Sequence, residues 1–391
     1  MVALPLLLLI VAALIVYGSL YPFEFALANA DSRALHRLLT IDPLGTSRSD
    51  ILANVALFVP FGLVGVTAVS GRGLRPVRIL LVLLFGLALA VALQIVQLFI
   101  PSRVPTLTDV VWNGLGLALG ALAATLPVVR RLLQGLERAP RLSVPVLLIG
   151  AWIAYRLAPF APSIDVQVIK DSLKPLLLTP RLTPLGTLHD AVAWSIVLHL
   201  WADVRMRGQR DRVSLLLIAG VFLAELLVID NAVSADNLAG ALLAVAVWWL
   251  VLYRVPGRAA WLAAFLLILL VFQGLAPFEL RAGIADFRWA PFAGVLDGST
   301  GAGFVNLLEK TFLYGSLVWL LLEMRLGWAW AALVSVGVLV LIEAAQTVFA
   351  HHTPEITDPL LALLIALLLA LLPGSRWGAP ALSFASRGRR A

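Results

Sequence analysis

Two polar series in the chain repeat the same spacing. The series are Gln97, Arg103 and Asp109, and Gln346, His352 and Asp358, and in both each member lies six positions after the one before it. Each joins an acid to side chains that can donate hydrogen bonds or take up a proton, which suits polar-ligand binding or proton transfer. Because order and spacing agree, we expect each series to bring its acid and base together at one place.

Two further residues would place charge inside apolar segments. Glu343 and Gln346 share one helix face, and Asn306 and Lys310 share another. An ionised side chain at the bilayer centre costs about 2.5–3.5 kcal/mol on insertion scales, so such charges are paired, hydrated or functional. We expect an ion pair between Glu343 and Lys310, which would be either a functional pair or a structural staple.

Membrane-spanning helices must hold these residues. Hydrophobic residues make up 61% of the 391 positions, charged residues make up 13%, and the mean hydropathy is +0.98. Apolar runs of about 18–22 residues recur, and an α-helix of that length crosses ~30 Å of hydrocarbon. The sequence predicts an all-α polytopic membrane bundle of about twelve transmembrane helices. Spans are expected near 3–20, 51–70, 78–99, 109–128, 143–161, 188–204, 213–229, 236–253, 260–276, 303–322, 328–348 and 357–373.

A Pro-Phe dipeptide at the end of an apolar run recurs three times along the chain. The dipeptides are Pro22-Phe23, Pro159-Phe160 and Pro277-Phe278. Each repeat begins with the span that ends in a Pro-Phe dipeptide and contains four predicted spans. Because four is an even number, all three repeats enter the membrane with the same polarity. The sequence predicts three parallel four-helix repeats at 1–140, 141–258 and 259–374, followed by a basic tail at 375–391.

The middle repeat is predicted to be degenerate. Glu225 is aligned with Gln94 and Glu343, and Asp236 is aligned with the final Asp of each series. In that alignment Val228 stands where a Gln is expected, and the loop that follows is about four residues shorter.

Basic residues predict the orientation of the chain. Alternate loops and the tail carry about twice as many Lys and Arg residues as the opposite loops, and such loops stay in the cytoplasm. Both termini are therefore expected in the cytoplasm, and the Pro-Phe dipeptides at the outer face. This bias explains the formal charge of +7 and the pI near 10.3 without a nucleic-acid partner. Membrane lipids are the expected partners, and the oligomeric state is left open.

The sequence gives no reason to expect a cofactor or a metal. The chain has no cysteine. His351 and His352 are adjacent, so their side chains diverge in regular structure, and Pro354 prevents the i,i+4 ligand spacing of a helix.

These elements resemble the VanZ-like family of bacterial membrane proteins. The first repeat carries Pro22, Phe23, Asn54, Gln97, Arg103, Thr108, Asp109 and Asn113, but has Gln94 where the family usually has Glu. The third carries Pro277, Phe278, Asn306, Glu343, Gln346, Thr357 and Asp358, with His352 replacing Arg and Ala362 replacing the late Asn. The candidate functional residues are Asn54, Gln94, Gln97, Arg103, Asp109, Glu225, Asp236, Asn306, Lys310, Glu343, Gln346, His352 and Asp358.

The resemblance implies a role in the cell envelope and a place in the bacterial cytoplasmic membrane. The family takes its name from a protein linked to resistance to teicoplanin, so an effect on glycopeptide susceptibility is an extrapolation from that link. The first hypothesis is a non-catalytic protein that binds a lipid-linked or cell-wall component at its outer face. The alternatives are a twelve-helix transporter of a small or lipid-like substrate, and an intramembrane enzyme using Glu343, His352 or Asp358 as acid or base.

Overall fold

Helices make up most of the described chain. The computed structural model describes residues 3–26, 35–36, 38–39, 48–69, 75–131, 140–161, 163, 165–204, 212–229, 231–296 and 300–371. These residues form fourteen α-helices and one π-helical turn, and β-pairing among them is limited to two isolated bridges. The predicted all-α membrane bundle is confirmed.

The helices follow one another with short connections in most places. The first seven are α1 (Ala3–Leu20), α2 (Arg48–Ala68), α3 (Arg75–Gln97), α4 (Leu107–Thr125), α5 (Pro140–Arg156), α6 (Val166–Leu178) and α7 (Pro184–Val204). The next are α8 (Arg212–Leu226), α9 (Ala235–Val247), which continues as the π-helical turn Trp248–Leu252, α10 (Arg258–Leu275), α11 (Ala293–Leu296), α12 (Thr300–Glu323), α13 (Trp328–Gln346) and α14 (Thr357–Leu371).

Each of the twelve predicted spans coincides with a helix, although not every helix is long and apolar. Among the described residues, seven helices are long and apolar enough to cross a membrane, and four shorter ones are also apolar. α7 falls outside both groups because it carries His189, Asp190, His199 and Asp203. The number of helices that cross the membrane, the orientation and the three-repeat division stay predictions, and the tail at 375–391 lies outside the described residues.

One helix of substantial length was not expected. α6 lies in the stretch between two predicted spans, and the Asp165 carboxylate caps it by accepting a hydrogen bond from the Gln167 amide at 2.8 Å. Its exposed face carries Lys170, Asp171 and Lys174. Because these charges interrupt the apolar run, hydropathy alone gives no signal for this helix.

The chain divides into two compact units. The first comprises Met1–Ala139 with Phe292–Phe304, and the second comprises Pro140–Pro291 with Val305–Ala391. In the first unit, α2 and α4 lie backbone to backbone at three glycines. A Cβ atom at Gly62 would lie 2.2 Å from the Leu117 carbonyl oxygen, and one at Gly116 would lie 2.1 Å from that of Val55. Only residues without a side chain permit this approach, as in other membrane helix pairs.

The second unit is built around α7. Eleven consecutive residues of this helix, from Asp190 to Leu200, are buried, and α5, α9 and α10 pack against it. Trp194 of α7 meets Trp152 of α5 edge to face, with ring centres 4.5 Å apart. Phe312 of α12 packs beside Trp152. A helix surrounded in this way can hold polar side chains away from lipid, which explains why α7 need not be uniformly apolar.

Candidate functional site

The three Pro-Phe dipeptides share one backbone geometry. The peptide bond before each Pro is cis, and the φ angles of Phe23, Phe160 and Phe278 are 68°, 62° and 65°. Few residues other than glycine adopt this left-handed conformation. The amide of each Phe donates to the carbonyl three residues earlier, at 2.8–2.9 Å. These contacts end α1, α5 and α10 in the same way, and we call this end of the helices the Pro-Phe end.

A backbone hydrogen bond shows which residues of the three segments correspond. The amide three residues after each Phe donates to a carbonyl just beyond a later helix. The bonds join Ala26 to Phe99 (2.7 Å), Ser163 to Leu227 (2.7 Å) and Arg281 to Val348 (3.0 Å). Two positions before these acceptors stand Gln97, Glu225 and Gln346. Glu225 therefore occupies the position of the two glutamines.

The alignment of Glu225 with Gln94 and Glu343 is consequently wrong by three residues. The sequence alignment paired Glu225 with Glu343 because both are glutamates. The backbone hydrogen bonds set the alignment without reference to the type of side chain. In the corrected register the stretch leading to Asp236 is one residue shorter than in the other segments, so the four-residue difference was also wrong. The shared geometry supports the division into three repeats, which stays a prediction.

At this position the side chain fastens its helix to the Pro-Phe end. In two segments an amide group donates to a backbone carbonyl. These bonds join Gln97 to Ser19 (2.7 Å) and Gln346 to Gly274 (2.9 Å). In the middle segment Arg156 stands where Ser19 and Gly274 stand, and its Nε donates to the Glu225 carboxylate at 2.6 Å. An ion pair thus replaces a neutral hydrogen bond.

The Arg156 guanidinium holds two carboxylates. Its second contact is with Asp190 Oδ1, at 3.2 Å. The other oxygen of Glu225 accepts from the Asn237 amide at 3.4 Å, and the Asn237 carbonyl oxygen accepts from Trp194 Nε1 at 2.9 Å. The Glu225 side chain is only 1% exposed. Buried charges are tolerated when paired and hydrogen-bonded in this way.

Gln94 and Glu343 hold the loops that lead into α4 and α14. The Gln94 side-chain oxygen accepts from the Thr106 amide at 3.0 Å, and the Glu343 carboxylate accepts from the Glu355 amide at 2.8 Å. The expected ion pair between Glu343 and Lys310 is therefore wrong. Glu343 interacts electrostatically with Lys310 but bonds the loop amide instead.

The three aspartates that open α4, α9 and α14 are satisfied in different ways. Asp109 accepts from Asn54 Nδ2 at 2.9 Å and from the Thr106 hydroxyl at 3.0 Å. Asp236 accepts from the amide and hydroxyl of Thr183 and from the Thr187 hydroxyl, at 2.7–2.9 Å. Asp358 accepts from Lys310 Nζ at 2.5 Å and from the Tyr314 hydroxyl at 2.7 Å. Within the described chain, a cation bonds the third of these aspartates, whereas the donors to the first two are neutral.

Arg103 and His352 do not stand beside the aspartates as expected. Arg103 donates to the carbonyls of Tyr21 and Gly18, at 2.9–3.3 Å. These carbonyls lie at the end of α1, where carbonyl groups bond to partners from outside the helix, so the Arg103 guanidinium bonds them and not Asp109. His352 Nε2 is buried and has no hydrogen-bond partner among the described residues. Burial lowers the pKa of the Arg103 guanidinium, although an arginine stays protonated in proteins.

Replacing Arg103 by Ala is expected to lower the stability of the first unit by about 1.5–3 kcal/mol, the range for hydrogen bonds to charged groups. The loss should appear as a lower thermal unfolding midpoint of the purified protein in detergent. Arg131 is exposed on the same unit, so Arg131→Ala is the matched control. Equal midpoints for the two variants would show that the Arg103 contacts contribute nothing measurable.

Several residues of the second unit were missed by sequence reasoning. Arg156 lies inside the predicted span 143–161, but neither Arg156 nor Tyr314 is among the predicted site residues. His189 Nε2 meets Glu309 Oε1 at 3.2 Å, in another interhelical pair. We call the following set the charged cluster: Arg156, His189, Asp190, Glu225, Glu309, Lys310, Glu343 and Asp358. In the sequence, the sign of this cluster is charge inside otherwise apolar helices. That sign identifies the residues of the cluster but not their partners.

The predicted residues are divided between the two units. Asn54, Gln94, Gln97, Arg103 and Asp109 belong to the first, and Glu225, Asp236, Asn306, Lys310, Glu343, Gln346, His352 and Asp358 belong to the second. Asn306 is exposed and Asp236 bonds α7. In the charged cluster, carboxyl groups outnumber cationic side chains, and Lys310 and Glu309 are the most exposed among its ion-paired members, with side chains 27% and 24% exposed.

A second polar group lies at the opposite end of α7. His199 Nε2 meets Glu323 at 2.6 Å, and Arg258 Nε donates to His199 Nδ1 at 3.0 Å. His199, Asp203 and Glu323 offer ligand atoms within 4.8 Å of one another. Among the described residues, this group is the candidate for a metal site. Because Nδ1 accepts from Arg258, the ring proton of neutral His199 is on Nε2, which then has no lone pair for a metal. Arg258 is the cation of this group.

Comparisons with known proteins match the first unit. Residues 5–129 match the family model described as VanZ/LLP1. No curated protein and no solved structure matches the chain. The matched segment runs from residue 5, in the first turn of α1, to beyond the end of α4 and includes all five predicted site residues of the first unit.

Proposed function

We propose that this chain, whose residues 5–129 match the VanZ/LLP1 family model, is a VanZ-like membrane protein that binds the polar head group of a lipid-linked cell-envelope component. The charged cluster is the proposed binding site. The proposal places this site at the outer face of the bacterial cytoplasmic membrane. The positive-inside rule predicts that the Pro-Phe end of the helices lies at this face.

The partly exposed Lys310–Asp358 pair carries this proposal. The two side chains are 27% and 12% exposed, although the helices around them are apolar. An ammonium group has three donors, and Asp358 uses one, so Lys310 can also bind a phosphate or a hydroxyl oxygen. Glu309, 24% exposed, offers a carboxylate that accepts hydrogen bonds from hydroxyl or ammonium groups. A head group carrying phosphate and sugar would match both.

The described residues favour binding over transport. α7 carries His189 and Asp190 near one end and His199 near the other. Between these ends, Trp194, Ile196 and Val197 are completely buried. A transported polar substrate needs polar groups through the bilayer, so this stretch, in which Ser195 is the one polar residue, supports a site that opens at one face. An effect on glycopeptide susceptibility would follow if the bound component belonged to cell-wall synthesis.

The proposal predicts that Lys310→Met will reduce retained head-group lipid by about tenfold or more, because a hydrogen bond to a charged group contributes about 1.5–3 kcal/mol. Native mass spectrometry of protein purified gently from bacterial membranes would measure the retained lipid. Lys174→Met removes an exposed lysine of the same unit and serves as the matched control. Lys310→Arg keeps the charge and should retain most of the lipid.

Monodisperse elution on size exclusion would show that each variant is folded before retention is compared. Retention of the same lipid by wild type and a folded Lys310→Met variant would contradict the proposed site. Absence of any polyprenyl-linked or glycosylated lipid from the wild-type protein would contradict the proposed ligand class.

A further inference from the structure

A groove of about 250 Å³ opens on the first unit between α1, α2 and α3. Leu8, Phe61, Val69, Leu81, Val82 and Phe85 line it, and Arg78 is its polar member. The groove lies toward the end of α2 and the start of α3, away from the Pro-Phe end. It shares no residue with the charged cluster.

Packing fixes the shape of the groove. Phe61 and Phe85 stack across its wall, with ring centres 6.1 Å apart and planes 21° from parallel. At its base, a Cβ on Gly65 would lie 2.6 Å from a Val82 methyl group, so α2 and α3 touch directly. A depression between helices in such close contact is part of the fold.

The groove faces the surroundings of the helices. Leu81 and Phe85 are 58% and 62% exposed, and α2 and α3 are both long and apolar enough to span a membrane. Those surroundings are therefore hydrocarbon. A cavity of about 150 Å³ lined by Leu, Ile and Phe can hold benzene, so a groove of this size and lining can hold part of an acyl chain.

Arg78 gives the groove a preference for one kind of lipid. Its side chain is exposed one turn into α3, and the sequence places Arg72 and Arg75 shortly before it. The predicted topology puts this end at the cytoplasmic leaflet, where anionic lipids attract such clusters. We propose that the groove seats one acyl chain of an anionic phospholipid whose phosphate pairs with Arg78.

Competition between two lipids tests this proposal. The full-length protein is incorporated into vesicles of equimolar phosphatidylglycerol and phosphatidylcholine with matched chains, extracted gently, and weighed by native mass spectrometry. Wild type should retain phosphatidylglycerol about fivefold over phosphatidylcholine, since one Arg near the surface favours anionic lipid by about 1 kcal/mol. Arg78→Gln should abolish this preference, whereas Arg131→Gln, a change of another exposed arginine, should keep it.

Filling the groove separates the chain from the head group. Leu8→Trp should lower retention of both lipids, whereas Leu9→Trp, at a residue 65% exposed that does not line the groove, should leave retention unchanged. Equal retention of the two lipids by wild type, or unchanged retention in both Leu8→Trp and Arg78→Gln, would overturn the proposal. A dimer that Leu8→Trp converts to monomer would show that a second copy is the occupant, which would also overturn it.

Discussion

Replacing Arg156 by Met is expected to destabilise the second unit by about 3–5 kcal/mol, the usual loss when one partner of a buried ion pair is removed. The variant would leave the carboxylates of Glu225 and Asp190 without the cation that bonds both. The loss should appear as a lower unfolding midpoint in detergent and as less monodisperse protein from the same membranes. Lys174→Met breaks an exposed pair with Asp171 and should change the midpoint little.

The other two segments suggest how to rescue the Arg156 variant. Gln97 and Ser19 hold the corresponding positions with one neutral hydrogen bond. The triple variant Arg156→Ser, Glu225→Gln and Asp190→Leu would build that arrangement and remove all three charges. It should recover most of the lost stability. If the triple variant were no more stable than Arg156→Met, the equivalence drawn from the backbone bonds would be wrong.

A second large effect is expected where α2 and α4 touch. Gly116→Ala would place a methyl carbon 2.1 Å from the Val55 carbonyl oxygen, and Gly120 meets the Val59 carbonyl in the same way. Because both obstacles are backbone atoms, no side-chain rotation relieves the clash. The helices would have to separate, at a cost of about 1–3 kcal/mol, the typical range for overpacking. The unfolding midpoint in detergent would measure the change.

Gly114 supplies the control within the same helix. A Cβ there would have as its nearest neighbour a Leu87 methyl group at 3.7 Å, an ordinary contact. Gly114→Ala should therefore be neutral or slightly stabilising, because Ala favours a helix over Gly by about 1 kcal/mol. Equal losses in Gly114→Ala and Gly116→Ala would mean that close helix approach is not what these glycines provide.

The helices were predictable from sequence because lipid demands long apolar runs with satisfied backbones. Every predicted span lies on a helix, including α7, whose histidines and aspartates make it less apolar than the other spans. α6 was missed because its charged face and modest length give no hydropathy signal. Its Ser172 carbonyl accepts from the Val233 amide at 3.0 Å, a contact between distant segments that no local pattern contains.

The candidate residues were easier to identify than their partners. Lys310 and Glu343 were recognised as charges in apolar surroundings, but their contacts depend on which loop amide or aspartate the fold brings near. Glu343 bonds the loop ahead of α14, and Lys310 bonds Asp358. Spacing along one helix predicts which residues share a face, but not what that face meets. The same limit produced the error at Glu225.

Suppose that the three segments descend from one ancestor in which a Gln bonded a backbone carbonyl, as Gln97 bonds Ser19. The chemistry of Arg156 and Glu225 then favours one order for the two mutations that produced their ion pair. A Glu introduced first could stay protonated and donate its hydroxyl to the same carbonyl as the Gln amide, so no charge would be buried. In a segment that also lacked Asp190, an Arg introduced first would bury a cation that cannot lose its proton and has no carboxylate to pair with. The mutation to Glu at position 225 is therefore the one that could be tolerated alone. Once the mutation to Arg at position 156 followed, loss of the Glu would leave a buried cation without this partner.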